Sequence, residues 1–557
     1  MRTISGILIG LLLCLVLTCL ALEKPQAQHR TGASSRSSIY DVRTFGAKGD
    51  GKAIDTPAIN KAIEAAAAAG GGTVNFPAGT YLSASIHLKS NITLYLDQGA
   101  TIVATESKAG KVTYDLPEPN EWDMYQDFGH SHWQNSLIWG IGLENVSIIG
   151  PGLIDGKGLT RRSPRARRVN QPGDRPVTLG GQTGARPQSP LGEDDDPSVM
   201  NGLGNKAISL KLCRNVTLRD FSILNGGHFA LLATGVDNLT IDNVKVDTNR
   251  DGFDIDSCRN VRISNCSVNS PNDDAIVLKS SYALGFARAT EKVTITNCSV
   301  SGYDIGSLLD ATYKKNVTEA PDKDGPTGRI KLGTESNGGF RNITISNIVF
   351  DHCRGLALET VDGGLLEDVT ISNITMRDVM NAPIFLRLGR RMRGPEGTPV
   401  GQLRRVNISN IIAYNADPRY ASIIAGIPEH DVEAVALNDI RIVYRGGGAK
   451  QLADLEPPER ETNYPEPSMF GVMPAYGFFV RHVQGIQFNN VTVSYLDAEM
   501  RPPFFLQDVT FAKFNNVTGY RALLVPMFVL RNVSDFNTHG CISVADMHLD
   551  RVAKQSF

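Results

Sequence analysis

A short motif that recurs along most of the chain constrains its fold more than any other feature. The motif joins a polar residue, usually Asn, to an apolar residue, a third residue that is usually Ser or Thr, and a second apolar residue. Consecutive copies begin at Asn215, Asn238 and Asn260, in steps of 23 and 22 residues. Very short strands at such a period indicate a solenoid, whose stacked turns share one core. We therefore predict an all-β chain, a β-solenoid. Other copies begin at Asn145, Lys292, Asn342, Asp368 and Asn490.

A short helix is predicted before the strands, at about residues 56–69. Thr56 is a suitable N-cap, Pro57 fits the first helical position, and the three glycines at 70–72 end the helix. The open end of a coil exposes unpaired strand edges. We expect this helix to cap the N-terminal end of the coil.

Residues 1–27 are typical of an export signal peptide. They contain Arg2, an apolar run at 7–21 and a cleavage position after Ala27. The run is shorter than the ~20 residues of a membrane span, so no span is predicted. The mature protein is expected in the periplasm or outside the cell. Lipidation at Cys19 is the less favoured alternative, because Thr18 is an unfavourable residue immediately before a lipidated cysteine.

The rest of the chain is predicted to be one domain. Residues 28–38 are polar and expected to be disordered, and 39–557 form the β-helix, with a long Pro- and Gly-rich loop at about 158–205. The net charge of −2 gives no reason for a nucleic-acid partner. No CxxC pair occurs, so a zinc site is not expected. No other metal and no cofactor are predicted. The six cysteines after the signal are expected to be small buried residues, and the protein to be a monomer.

Two acid-rich segments, residues 249–251 and 272–274, stand one turn of the predicted coil apart. With the turns aligned on their apolar residues, the acids fall on neighbouring layers of one face. Close carboxylates raise at least one pKa, which leaves one acid protonated and another ionised. Hydrolysis of a glycosidic bond needs such a pair. The carboxylates concerned are Asp251, Asp254, Asp273 and Asp274.

The same alignment predicts which residues share a column. One inward column holds Phe253, Ile276, Ile330 and Leu356, and the other holds Ile255, Leu278, Leu332 and Leu358. The outward columns hold Asp254, Val277, Lys331 and Ala357, and then Asp256, Lys279, Gly333 and Glu359.

These motifs resemble those of glycoside hydrolase family 28, the polygalacturonases and their relatives. The resemblance rests on the repeat, the N-terminal helix, Asn-Arg-Asp-Gly-Phe-Asp-Ile and Asn-Asp-Asp, and is strongest over 215–375. It implies a right-handed parallel β-helix of the pectin-lyase-like superfamily that hydrolyses pectic or plant cell-wall polysaccharide. Asp273 would be the general acid, and Asp251 and Asp274 would hold the attacking water. The resemblance implies inversion, whereas carboxylates one layer apart would favour retention.

Two cationic motifs of that family are missing here. The histidine of its Gly-His-Gly motif falls on Gly328, and its Arg-Ile-Lys motif falls on residues 357–359. Charged neighbours are expected to bind the substrate instead, and they include additional acids. The substrate is therefore expected to be rhamnogalacturonan or a decorated pectic oligosaccharide. The charged residues concerned are Asp254, Lys279, Arg329, Lys331, Glu335, Arg354 and Glu359.

Further candidates lie on neighbouring turns. His228 stands one turn before Asp251, and Arg387 lies on a later layer. Both are predicted to contact the substrate. His130, His132 and Trp133 are predicted to line the cleft, with the Trp133 ring stacked on a sugar.

Two other functions remain open from the sequence. A polysaccharide lyase on the same coil would hold calcium with Asp251, Asp254 and Asp274 and use Lys279 as the base. A carbohydrate-binding solenoid without catalysis would be consistent with the missing cationic motifs. The chemistry of the products separates a lyase from a hydrolase, and substitution of Asp273 by Asn separates the non-catalytic solenoid.

Overall fold

The computed structural model describes residues 38–107, 113–161, 197–316 and 325–557. The predicted signal peptide and residues 162–196 of the predicted loop lie outside these ranges. Within them, no helix is long and apolar enough to cross a membrane.

The described residues form two α-helices and one continuous sheet. The helices are α1 (Thr56–Ala68) and α2 (Phe128–Ser131), and the short 3-10 helices are Val42–Phe45, Asp123–Tyr125, Pro197–Met200, Lys450–Asp454 and Pro467–Phe470. The strands are β1 (Ile39–Asp41), β2 (Asp50–Ile54), β3 (Gly72–Phe76), β4 (Gly79–Ser83), β5 (Ile86–His87), β6 (Ile92–Leu96), β7 (Ala100–Ala104), β8 (Ile138–Ile141), β9 (Glu144–Ile149), β10 (Leu153–Asp155), β11 (Lys206–Lys211), β12 (Arg214–Arg219), β13 (Ser222–Leu224), β14 (Phe229–Thr234), β15 (Asp237–Asp242), β16 (Lys245–Asp247), β17 (Asp251–Asp256), β18 (Arg259–Ser264), β19 (Ser267–Asn269), β20 (Ile276–Ser280), β21 (Thr290–Ser301), β22 (Ile330–Ser336), β23 (Phe340–Asp351), β24 (Leu356–Thr360), β25 (Leu365–Arg377), β26 (Ile384–Leu388), β27 (Gln402–Ala416), β28 (Ser422–Ala425), β29 (Val432–Gly446), β30 (Phe478–Asp497), β31 (Phe504–Asn515), β32 (Thr518–Gly519), β33 (Phe528–His539) and β34 (Met547–Ser556).

The strands stack turn upon turn as a parallel coil. Val216 pairs with Leu239, and Leu239 pairs with Val261, which are the predicted steps of 23 and 22 residues. The last strand, β34, instead runs antiparallel to β33. The predicted fold class, a right-handed parallel β-helix, is confirmed. The strands β8, β11, β14, β17, β20, β22, β24, β26 and β28 pair in succession and form what we call the front face.

The core consists of apolar columns that run along the coil. Phe253 pairs with Ile276 and Ile276 with Ile330, while Leu278 pairs with Leu332 and Leu332 with Leu358, as predicted. All are buried in one continuous core. Each turn therefore depends on its neighbours for burial of its apolar side. The predicted buried state of the cysteines is also confirmed, since Cys213, Cys258, Cys266, Cys298, Cys353 and Cys541 are buried and free.

Helix α1 packs its apolar stripe, including Ile59 and Ile63, against this core. The helix begins at Thr56, so Asp55 rather than the predicted Thr56 stands at the N-cap position. Asp55 makes no capping bond, because its carboxylate accepts from the amides of Lys48 and Gly49. The Thr56 hydroxyl accepts from the amide of Ala84. Both side chains thus join the helix to the first turns of the coil.

An asparagine ladder explains why the repeated motif begins with Asn. The side-chain amide of Asn238 donates to the side-chain oxygen of Asn215 at 2.8 Å, and Asn260 donates to Asn238 at 2.7 Å. All three have a left-handed backbone, with φ between 55° and 57°, which Asn tolerates better than most residues. Turns that begin at Arg405 and Ala434 share this conformation without Asn. Their sequences therefore did not reveal them as repeats.

Substitution of Asn238 tests the two contributions of the ladder. Asn238→Ala should lower the free energy of unfolding by about 2 kcal/mol, because Ala loses the ladder bonds and also disfavours a left-handed backbone. Asn238→Gly loses the same bonds and keeps the backbone freedom, so it should cost about half as much. Urea unfolding measures both. Equal costs for Ala and Gly would contradict the role given to the backbone.

Candidate active site

Three carboxylates meet at the strand-start edge of the front face. Asp251 begins β17, and Asp273 and Asp274 occupy the turn before β20. Each contributes a carboxylate oxygen to a group whose members all lie within 4.8 Å of one another. The Asp273 side chain is 28% exposed, whereas Asp251 is only 3% exposed and Asp274 is equally buried. The cluster thus has one member that faces solvent and two that lie beneath it.

Bonds between neighbouring turns fix this arrangement. The amide of Asn272 donates to the Asn249 carbonyl at 3.0 Å, and their side chains are also hydrogen-bonded. Arg250 donates to Asp273 Oδ2 at 2.7 Å, and the amide of Asp274 donates to Asp273 Oδ1 at 3.1 Å. The two acid-rich motifs therefore form one hydrogen-bonded unit across two layers.

The pKa values of two of these acids are shifted in opposite directions. Burial, and then the charge of Asp273, raises the pKa of Asp251 well above its usual value. Burial alone would also raise the pKa of Asp274, but Lys331 and Arg329 outweigh it and lower this pKa to about 2. Asp274 is therefore ionised at neutral pH, whereas Asp251 holds its proton more tightly than an ordinary aspartate. The two carboxyl groups thus differ in acidity, as an acid and a base in one site require.

Cations from β22 and the residue before it hold Asp274 in the ionised form. Arg329 Nε donates to Asp274 Oδ1 at 2.8 Å, and Lys331 Nζ lies 3.3 Å from Asp274 Oδ2. Lys331 points outward beside Val277, as the alignment predicted. Burial lowers the pKa of each cation, but the attraction of the neighbouring acids has the larger effect, so the pKa of each is raised above its usual value. Both side chains therefore remain charged although they are buried.

Glu359 is the acid of β24 that faces this group. Its nearest described cation is Lys331, whose Nζ lies 3.7 Å from Oε2. Neither carboxylate oxygen has a hydrogen-bond partner among the described residues. Burial raises the pKa of Glu359 to about 8, although Lys331 and Arg329 oppose the rise. Glu359 thus holds its proton at neutral pH and lies beside the cations Lys331 and Arg329.

A second charged group surrounds Lys279 on β20. Its ammonium lies 3.0 Å from Glu335, 3.5 Å from Asp254 and 2.7 Å from His130 Nε2. His130 Nε2 also lies 2.8 Å from Asp254 Oδ2. Either tautomer of the ring satisfies one of these two contacts. The predicted candidates Asp254, Lys279 and Glu335 are thus brought together, with His130 from outside the repeats.

Glu335 reaches Lys279 because β22 departs from the regular register. Leu278 pairs with Leu332 and Ser280 with Ser336, so residues 333–335 stand opposite the single residue Lys279. The prediction that Gly333 continues the column of Asp256 and Lys279 is therefore wrong. The extra residues bulge outward, and the left-handed backbone of Gly333, with φ +98°, permits the bend. An irregular strand thus supplies an additional acid to the site.

The segment between β29 and β30 contributes side chains that the sequence did not reveal. Glu466 forms a charge pair with Arg329 and lies 3.2 Å from Arg354 Nη1. The Tyr464 hydroxyl lies 3.1 Å from Lys331 Nζ. Both residues belong to an irregular, proline-rich stretch without repeats. Only the folded chain brings them beside residues more than a hundred positions earlier.

Two other residues that were predicted to contact the substrate are buried beside main-chain carbonyl groups. His228 is buried, and its Nδ1 lies 3.1 Å from the Arg161 carbonyl. Arg387 is also buried and donates to the main-chain carbonyls of Gly426 and Glu459. Burial and the nearby Arg481 lower the pKa of Arg387 to about 9.

The aromatic candidates in the segment before β8 contact other side chains of the protein. Trp133 is fully buried, donates from Nε1 to Thr234 Oγ1 at 3.0 Å, and carries the Lys211 ammonium over its ring. The prediction that it stacks on a sugar is wrong, because no face of the ring reaches the cleft. His132 packs against the Phe128 ring.

The pH dependence of stability tests the environment of Glu359. Because its folded-state pKa of about 8 exceeds the ordinary 4.5, Glu359 favours folding below pH 4.5, and this contribution is lost as pH rises through 8. Glu359→Gln should therefore gain stability relative to the native chain across that interval, as measured by urea unfolding. The exposed control Glu396→Gln should follow the native profile. A constant difference between Glu359→Gln and the native chain would contradict the assigned environment.

Comparison with known proteins finds family matches over parts of the chain. A family model described as glycosyl hydrolases family 28 matches residues 201–457, and one described as rhamnogalacturonase A/epimerase, pectate lyase-like, matches residues 39–129. A probable polygalacturonase from Vitis vinifera is 23% identical over 441 residues, 75% of this chain and 77% of that protein. An exo-poly-α-D-galacturonosidase from Dickeya chrysanthemi is 25% identical over 281 residues, 47% of this chain and 44% of its own length.

A solved structure shares the fold. The family 28 exopolygalacturonase of Yersinia enterocolitica aligns with a TM-score of 0.60 at 19% identity, over 86% of this chain and 78% of that one. Its β-helix corresponds to the coil described above. This likeness shows a shared fold. The match of residues 201–457, which include all three clustered carboxylates, to the glycosyl hydrolases family 28 model identifies the chain as a glycoside hydrolase.

Proposed function

We propose that this chain hydrolyses glycosidic bonds in a pectic polysaccharide, with Asp273 as the general acid and Asp251 and Asp274 holding the attacking water. The observation that carries the proposal is the cluster of three carboxylates, in which the pKa of Asp274 is lowered to about 2 and the pKa of Asp251 is raised well above its usual value. The substrate class is supported by the relatives, which are named as polygalacturonases.

Each carboxylate has a distinct task in this mechanism. Asp273, the exposed member, protonates the glycosidic oxygen as its bond to the anomeric carbon breaks. Water attacks that carbon, and Asp274 accepts the proton that the water loses. The charge of Asp273 contributes to the raised pKa of Asp251. As the general acid, Asp273 supplies the proton that the leaving group requires.

The stereochemistry of the reaction is part of the proposal. We propose inversion, which the family resemblance implies. The carboxylate oxygens lie within 4.8 Å of one another, whereas inverting enzymes commonly separate their two carboxyl groups by ~6.5–9.5 Å. Proton NMR of the first product therefore provides a direct test, because the anomer released immediately is of opposite configuration in the two mechanisms.

The charges around the cluster support a substrate other than plain homogalacturonan. Arg329 and Lys331 already pair with Asp274, and Lys279 already pairs with Glu335. A uronate carboxylate would have to compete with these acids. Rhamnogalacturonan or a decorated pectic oligosaccharide satisfies this condition better than a uniformly acidic polymer.

Export is a further part of the proposal. Residues 1–27 are typical of a signal peptide, and a pectic polymer is met outside the cytoplasm. Cell fractionation of the full-length chain, with N-terminal sequencing of the mature form, tests this. An N-terminus at residue 28 is expected, and a modified Cys19 would indicate a lipoprotein.

The alternative function is a polysaccharide lyase with a bound cation. The oxygens of Asp251, Asp273 and Asp274 are close enough to share an ion. However, Asp274 is already paired with Arg329 and Lys331, and these cations would repel a metal. A lyase leaves an unsaturated, ultraviolet-absorbing product and loses activity with a chelator. A hydrolase does neither, so product analysis with and without chelator separates the two.

Removal of the proposed general acid tests the assignment of Asp273. Asp273→Asn should reduce kcat/KM on pectic oligosaccharides by about 10²–10⁴-fold, because the leaving group is no longer protonated. Reducing-sugar release measures the loss. The control Asp368→Asn removes an exposed carboxylate on β25 and should retain activity. Native-like activity in Asp273→Asn would overturn the assignment.

The role of Lys331 is tested by the pH–rate profile. Lys331 lowers the pKa of Asp274, so Lys331→Met should raise that pKa and move the acidic limb of kcat/KM to higher pH. Lys331→Arg keeps the charge and should leave the limb near its native position. An unchanged limb in Lys331→Met would show that another group sets the acidic limit.

A further inference from the structure

Two irregular segments cover the front face on either side of the carboxylate cluster. We call residues 113–137, between β7 and β8, the N-terminal cover, and residues 447–477, between β29 and β30, the C-terminal cover. Neither belongs to the repeat. Their contacts determine how a polysaccharide can approach the cluster.

The N-terminal cover is sealed onto β14 and β17. Trp133 packs with Phe229 and Leu232 of β14 in a buried apolar cluster and donates to Thr234 of that strand. One layer further on, His130 lies 2.8 Å from Asp254 of β17. A sugar chain therefore cannot lie on the front face of these layers where the cover is packed.

The C-terminal cover is sealed onto the later layers in the same manner. Met469 and Phe470 share a buried apolar cluster with Ala357 of β24 and Phe385 of β26. At the edge nearer the carboxylates, Tyr464 lies 3.1 Å from Lys331 of β22. The front face is thus occupied on this side as well.

A third segment joins the two covers. Arg393, in the loop after β26, lies 3.5 Å from Asp127 of the N-terminal cover and forms a charge pair with Glu335 of β22. On the same loop, the Arg391 guanidinium lies 5.9 Å from the centre of the Tyr464 ring in the C-terminal cover. The Asp127–Arg393 pair therefore links the N-terminal cover to the loop after β26, and we call this ion pair the clasp.

The spacing between the covers is small. They contact β17 and β22, and the front face has only β20 between these two strands. Neighbouring strands lie ~4.8 Å apart, so the contacts are separated by about 10 Å. A polymer that crossed the strand stack would meet a cover on each side. The exposed fraction of Asp273 instead places the entrance at the strand-start edge.

We infer that the substrate enters end-on and that the enzyme cleaves at chain ends or acts on short oligosaccharides, with the Asp127–Arg393 clasp excluding internal segments of a polymer. This inference rests on the proposed function for the identity of the polymer. It concerns the mode of cleavage and is independent of which carboxylate donates the proton.

The test compares viscosity with bond cleavage on a long pectic polymer. End-on cleavage should release reducing ends with little loss of viscosity, and the earliest products should be short and of uniform length. Internal cleavage lowers viscosity after very few bonds are broken and yields mixed lengths. Hydrolysis with an early fall in viscosity would overturn the inference and leave the proposed function intact. Failure to hydrolyse any pectic polymer or fragment would overturn the proposed function, and this inference with it.

A charge reversal tests the clasp itself. Asp127→Lys should repel Arg393, and an exposed ion pair of this kind changes an equilibrium by about two- to fivefold. The viscosity lost per bond cleaved should rise by about that factor, with longer early products. Asp127 makes no capping bond to α2, so the helix start is retained. The matched control Glu367→Lys reverses a charge that faces Arg404 and Arg405 on the surface, and it should keep the native ratio. A native ratio in Asp127→Lys, with native circular dichroism, would exclude the clasp as the barrier.

Discussion

The in-register stacking of apolar residues between successive turns is the constraint on which the rest of the molecule depends. Leu278, Leu332 and Leu358 pair directly across three layers. Side chains alternate along a strand, so a slip of one residue would turn every inward residue outward. The same register places Asp251 and Asp274 on neighbouring layers. Burial of the core therefore also fixes the geometry of the carboxylate cluster.

Charge pairing is the second constraint, because the site buries many ionised groups. A buried charge without a partner is costly, whereas a well-paired group is tolerated. Arg329 lies between Asp274 and Glu466, and burial alone would lower its pKa. The attraction of these acids keeps it charged. The C-terminal cover thus supplies Glu466, whose negative charge pairs with cations of the coil. Without this cover, those buried cations would have fewer acidic partners.

Regular and irregular parts of the chain have different tasks. The coil provides a rigid face on which Asp251 and Lys331 stand at fixed spacing. The irregular segments supply His130, Tyr464 and Arg393, which surround that face. Loops on a rigid scaffold commonly carry specificity for this reason. In this chain they are proposed to decide where along a polymer the common acid chemistry is applied.

The sequence by itself determined the coil, its inward columns and the proximity of the acids, because a strict period converts position along the chain into position in space. It also predicted that Asp254, Lys279 and Glu335 are charged groups near the cluster. It did not predict the bulge at residues 333–335, the buried position of Trp133, or the arrival of Glu466. Those features depend on contacts between segments far apart in sequence and without a repeat, and only the tertiary packing of the covers on the coil decided them.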